Sequence, residues 1–201
     1  MPLRRVSLVL LLALLFGGAC SSGVTRSTRC GTFVQNFPLR LKQLKTSFIK
    51  IKEYYEEKDQ VETALLDASV LVEIQSPVGC HAMSEVLRFY IETVLPAADE
   101  ASEEFKIPIG SIGDIFYELK SELLYCNDYF SCKEPFQLKE IVDTYNKMQD
   151  RGLYKAMSEL ELFFNYIEEY MASKKHDSTV ALRGKPSGSS TLGRSPHRGE
   201  R

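Results

Sequence analysis

The chain has 201 residues, 44% of them hydrophobic and 26% charged, and a formal net charge of −2. The near-neutral balance conceals an asymmetry. Residues 23–173 carry 16 Lys and Arg against 25 Asp and Glu, whereas 174–201 carry seven basic and two acidic residues. The acidic body argues against nucleic acid as a partner, and about 150 residues between the two ends suffice for one ordinary domain.

The first residues have the three-part form of a secretory signal: Arg4 and Arg5, an apolar run from Val6 to Phe16, then small residues from Gly17 to Ser21. The run is shorter than the ~20 residues a bilayer span needs, and no later stretch would anchor the chain. Cleavage near Cys20 is expected to remove that cysteine. A lipoprotein reading of Cys20 is disfavoured by Gly17, which stands where such a motif wants a branched apolar residue. Segment 1–22 is thus expected to be a signal and the product secreted.

Helical periodicity follows. Leu41, Leu44, Phe48, Ile51 and Tyr55 recur at steps of three and four, predicting a helix over Pro38–Lys58, with Lys42, Lys45, Lys50 and Lys52 on its other faces. A shorter helix is expected over Val61–Glu73. Ser76, Pro77 and Gly79 break the chain. A third helix runs from Cys80 to about Pro96, with Met83, Leu87, Tyr90, Ile91 and Val94 inward. After an acidic loop, Asp99–Glu104, Ser111 reads as the N-cap of a fourth helix carrying Ile115, Leu119 and Leu123. Pro135 precedes a fifth with Leu138, Ile141, Val142, Tyr145 and Met148. Gly152 punctuates, and Leu153 to Lys174 forms a sixth. Nothing alternates with period two for long, so the class is all-α. The aromatics, Phe163, Phe164, Tyr166 and Tyr170 among them, are expected in core and rim. The domain is expected over 23–175. The remainder, 176–201, is Ser-, Gly-, Pro- and Arg-rich from Thr179 and is expected to be a disordered basic tail with at most weak affinity for sulfated glycans.

Four cysteines remain, Cys30, Cys80, Cys126 and Cys132. An even number behind a signal reads as two disulfides, with three connectivities open. Zinc is disfavoured because no Cys-x-x-Cys occurs and only His81 adjoins a cysteine. No phosphate loop, nucleophile elbow or His-Glu-x-x-His is present. No aspartate follows His81 to make a phospholipase site of it. No enzyme, cofactor or metal is expected, and no Asn-x-Ser/Thr acceptor occurs.

Four stretches then carry a resemblance: Ala64-Leu65-Leu66 after Lys58-Asp59-Gln60; Gly79 to Glu85; Tyr154 to Glu159; and Phe164 to Glu168 with Tyr170-Met171. With cysteine intervals of 50, 46 and 6, the chain from about Cys30 to Lys174 resembles the interleukin-10 family of helical cytokines. His81 departs from the family's usual residue. The resemblance implies a six-helix bundle with bridges Cys30–Cys126 and Cys80–Cys132. It also implies an intertwined, domain-swapped homodimer in which each chain lends its last two helices to the other. The link Asn127–Pro135 spans at most ~30 Å, which fits an exchange. The implied partners are a high-affinity and an accessory class II receptor chain on the cell surface, coupled to JAK/STAT signalling with an anti-inflammatory outcome. The residues implied in receptor contact are Lys42, Lys45, Lys52, Glu56, Ser158, Glu161 and Glu168, several of them lysine where the family bears arginine. The competing reading of the residues is a secreted helical carrier with a small apolar ligand between its helices; a small secreted enzyme or enzyme inhibitor is the third.

Overall fold

The computed structural model describes residues 22–132 and 139–183, with side chains for 27–132 and 139–175. The expected signal, apart from Ser22, lies outside the described residues, as do Pro135, Leu138 and the tail past 183. Every regular element described is helical, and no described helix is long and apolar enough to cross a membrane.

Helix α1 spans Ser22–Phe48 and so starts well before Pro38, where the helix was expected to open. Cys30, Val34, Phe37, Leu41, Leu44 and Phe48 are all buried, one stripe that extends the pattern toward the N-terminus. Pro38 faces solvent, so the hydrogen bond it cannot make costs least where water is at hand. A tight turn closed by Ile51 N–H to the Phe48 carbonyl separates α1 from α2, Lys52–Lys58.

Residues 59–67 form a loop, of which 61–67 was expected to be helical. Asp67 caps α3, Ala68–Gln75, by accepting from the Ser69 N–H. The break at Ser76–Gly79 is present. A Cβ on Gly79 would lie 1.9 Å from the Ile74 carbonyl oxygen, so only glycine fits. Helix α4, Gly79–Phe89, runs into a π-turn, Tyr90–Val94, and on through α5, Leu95–Ala101. Pro96 therefore does not end this helix. The chain slips by one residue so that Leu95 N–H reaches the Tyr90 carbonyl, and Pro96, with no N–H to lose, sits in the first turn of α5. The acidic loop shrinks to Ser102 and a 3-10 turn, Glu103–Phe105.

Helix α6 covers Lys106–Tyr125. Ser111 lies inside it and is no cap; its hydroxyl meets that of Ser47 at 3.0 Å. A single turn, α7 (Asn127–Phe130), ends at Ser131, held left-handed at φ 58°. Then come α8 (Lys139–Met148), α9 (Asp150–Ser158) and α10 (Leu160–Arg183). Gly152 is inside α9, not a break: a Cβ there would lie 2.8 Å from the Tyr145 carbonyl oxygen. The backbone of α10 continues eight residues past the expected domain end at 175.

The bridges are Cys30–Cys126, Cα atoms 5.8 Å apart, and Cys80–Cys132, 5.1 Å apart. One ties the first turns of α1 to the end of α6; the other ties the start of α4 to the segment after α7. The bundle centre is aromatic. Tyr90 stacks on Phe163 at 5.3 Å, Phe116 meets both edge-on, and Phe164 bridges Phe116 to Phe48. The Tyr90 hydroxyl donates to the Ala156 carbonyl at 2.8 Å, and burial pushes its phenol well above its ordinary pKa. Helix α10 packs along α1, and α9 against α2.

Candidate functional site

Five of the seven expected contact residues lie along the seam where α10 runs antiparallel to α1 and α2. Lys45 Nζ is 2.9 Å from Glu168, and Lys52 Nζ is 2.5 Å from Glu161 and 3.6 Å from Glu56. These five side chains form one exposed strip of alternating charge. Lys45 and Glu168 keep 43% and 53% of their side-chain surface in water, so their attraction is worth little to the fold. Hydrogen bonding to Glu161 raises the Lys52 pKa. Lys42 lies elsewhere. It lines an open groove between α1 and α6 with Arg40, Ser47, Lys106, Ser111 and Asp114. The seven residues therefore do not form one patch.

Ser158 belongs to a third environment. Its hydroxyl lies 2.7 Å from Asp59 Oδ2 and 2.9 Å from the Lys155 carbonyl. Lys155 is buried and its ammonium sits between two carboxylates, 3.2 Å from Asp59 and 3.3 Å from Glu159. Each carboxylate also accepts from backbone. Asp59 takes the Val61 N–H at 3.0 Å. Glu159 takes those of Leu65, at 3.0 Å, and Leu66, at 2.7 Å. From about two turns further on, within α10, the Tyr166 hydroxyl reaches the Leu66 and Asp67 carbonyls at 3.3 and 3.1 Å. Buried polar groups are tolerable only when partnered, and here α9 and α10 partner the loop at both ends.

Electrostatics follow the geometry. Burial alone would raise Asp59, but hydrogen bonds from Ser158, the Val61 amide and Lys155 outweigh it and hold the carboxyl below its usual value. Burial likewise opposes the Lys155 charge, yet Asp59 and Glu159 keep its pKa raised. Asp59, Lys155 and Glu159 were not among the expected contacts. The spacing shows only that Lys155, Ser158 and Glu159, at i, i+3 and i+4, share one helix face, beside the buried Ala156 and Met157; the packing of α9 against α2 decides which way it turns. That face points inward. Among the described residues no cluster of His, Cys, Asp and Glu could hold a metal ion.

Known proteins share much of this sequence. A sequence model of the family described as Interleukin 10 matches residues 6–173. The chain is 36% identical to Interleukin-10 of Trichosurus vulpecula over 143 residues, 71% of this chain and 82% of that relative. It is 36% identical to Interleukin-10 of Gallus gallus over 148 residues, 73% and 85% of the two chains. It is 34% identical to Interleukin-10 of Cervus elaphus over 171 residues, 84% and 96% of the two. The matched span includes all four bridged cysteines, the charged seam and the clamped loop, and the chain belongs to the interleukin-10 family, a family of cytokines rather than of enzymes.

Proposed function

We propose that this chain is a secreted cytokine that draws a high-affinity and an accessory class II receptor together on the cell surface, activating JAK/STAT signalling with an anti-inflammatory outcome. The observation that carries the reading is the seam of α1, α2 and α10, where Lys45, Lys52, Glu56, Glu161 and Glu168 stand exposed on rigid helices. Charged groups on rigid elements suit a partner of complementary pattern and set its specificity and rate of approach. Because these charges are already paired with each other, the receptor must compete with internal partners. The working form is a homodimer exchanging α8–α10 between chains, which would keep every contact those helices make within one chain. The carrier reading is weaker, because Tyr90, Phe116, Phe163 and Phe164 fill the bundle centre with rings in contact, where a carried ligand would lie.

The test is binding of the purified mature protein to immobilised ectodomains of the two receptor chains, with STAT phosphorylation in cells bearing both. Saturable binding to the high-affinity ectodomain and a phosphorylation response are expected. Absence of binding to either ectodomain at micromolar protein would overturn the reading.

A further inference from the structure

The loop between α2 and α3 has an unusual dependence on distant residues. Among the described residues, no backbone–backbone hydrogen bond falls inside 60–66. A backbone stretch without its own ladder relies on side chains or water for order. Here the side chains come from about 95 positions later in the chain. Glu159 binds the Leu65 and Leu66 amides, and Lys155 joins Glu159 to Asp59, which binds the Val61 amide. The start and end of the loop are thereby tied to one ammonium ion. Between the ties, Glu62, Thr63 and Ala64 stand exposed, while Leu65 and Leu66 are buried.

We propose that Lys155 and Glu159 are positioning residues for receptor binding: they hold the exposed tripeptide Glu62–Thr63–Ala64 in one shape beside the charged seam, so that the receptor meets a loop already ordered. The proposal rests on the receptor reading above. Three features support a positioning role over direct contact. The two side chains are mostly buried, at 11% and 12% of their surface exposed. Their hydrogen-bonding atoms face the loop and each other. The loop, not the clamp, is what reaches solvent. A loop that samples many shapes binds more weakly by the fraction of time it spends outside the competent one, and ordering it in advance removes that loss.

The test compares wild-type protein with Glu159→Ala and Glu159→Gln in two measurements. Amide hydrogen exchange on the free, 15N-labelled protein reads the loop. The high-affinity receptor ectodomain, at a temperature well below unfolding, reads binding. In Glu159→Ala, the Leu65 and Leu66 amides should exchange at least 30-fold faster while those of Phe116 and Phe163 stay unchanged, and receptor affinity should fall at least tenfold. Glu159→Gln keeps one acceptor oxygen and should fall between; it carries the same comparison if the alanine variant does not fold. Unchanged loop exchange would overturn the proposal, as would fast exchange with wild-type affinity. Wild-type protein that does not bind the ectodomain sinks the receptor reading, and this proposal with it. A wild type that binds no better than Glu159→Ala sinks this proposal alone.

Discussion

Lysine meets glutamate along the last two helices at two depths. On the seam, Lys45 and Glu168 pair at 2.9 Å with about half of each side chain in water. At the α9–α10 junction, Lys155 pairs with Asp59 and Glu159 at 3.2 and 3.3 Å with little more than a tenth of each exposed. The distances would rank the seam pair as the stronger. Burial reverses that order for the cost of breakage. An exposed pair returns its charges to water when broken, whereas removing one member of a buried set leaves the others uncompensated. The seam is therefore free to exchange its partners for those of a receptor, and the junction is not.

The largest effect should come from breaking the deep set. Lys155→Met keeps the stem and removes the charge, leaving Asp59 and Glu159 facing one another. It should lower the unfolding free energy by about 3 kcal/mol, read from denaturant unfolding; a loss below 1 kcal/mol would mean water already screens the junction. The seam should answer differently. Lys45→Glu places two carboxylates together and should weaken receptor binding by about 2 kcal/mol while moving stability by less than about 0.5 kcal/mol. Titration calorimetry and thermal melts on the same sample separate the two. Combining it with Glu168→Lys restores an internal pair of reversed polarity. The double variant should recover wild-type stability and not recover binding, and recovery of both would mean that the seam is only a solvated surface.

A smaller effect sharpens the comparison through pH. The Asp59 carboxyl is held below its ordinary value in the folded chain, so the unfolded chain takes up its proton first as pH falls. Its contribution to stability is complete above about pH 4, the unfolded carboxylate range. It is lost as pH drops through the depressed folded value. Asp59→Asn should flatten that part of the stability curve below pH 4.

The two regions also differ in how far they could be read from sequence. The apolar stripes were legible because burial of one face imposes steps of three and four, and Leu41, Leu44, Phe48, Ile51 and Tyr55 are all buried. The seam lysines and glutamates were legible as outward-facing charges, although which one meets which depends on two helices more than 100 residues apart. Pro38 and Pro96 misled because a proline tells which bond is missing and not whether a solvent-facing turn or a π-slip absorbs the loss. The 59–67 loop misled because Val61, Leu65 and Leu66 mimic helical spacing; the Val61 amide is satisfied by Asp59, and those of Leu65 and Leu66 by an acid at position 159 that no local pattern announces. Lys155 looked like any surface lysine. Only the packing of α9 against α2 puts it inside.

The positions of the bridges carry a consequence for how the chain acquires them. Cys126 and Cys132 are six residues apart, separated by the α7 turn and the left-handed Ser131, yet each is bonded far away, across separations of 96 and 52 residues. In a reduced, unfolded chain the short loop closes far more readily, by about 2 kcal/mol on loop-closure entropy. Proximity along the chain thus favours first a bond that the finished molecule does not contain. Productive maturation has to run through thiol–disulfide exchange, in which helix packing rather than proximity along the chain selects the partner. A chain deprived of a shuffling agent should collect in forms bridged at Cys126–Cys132, with Cys30 and Cys80 left as thiols or joined to each other across a similar span to that of the native Cys80–Cys132 bridge.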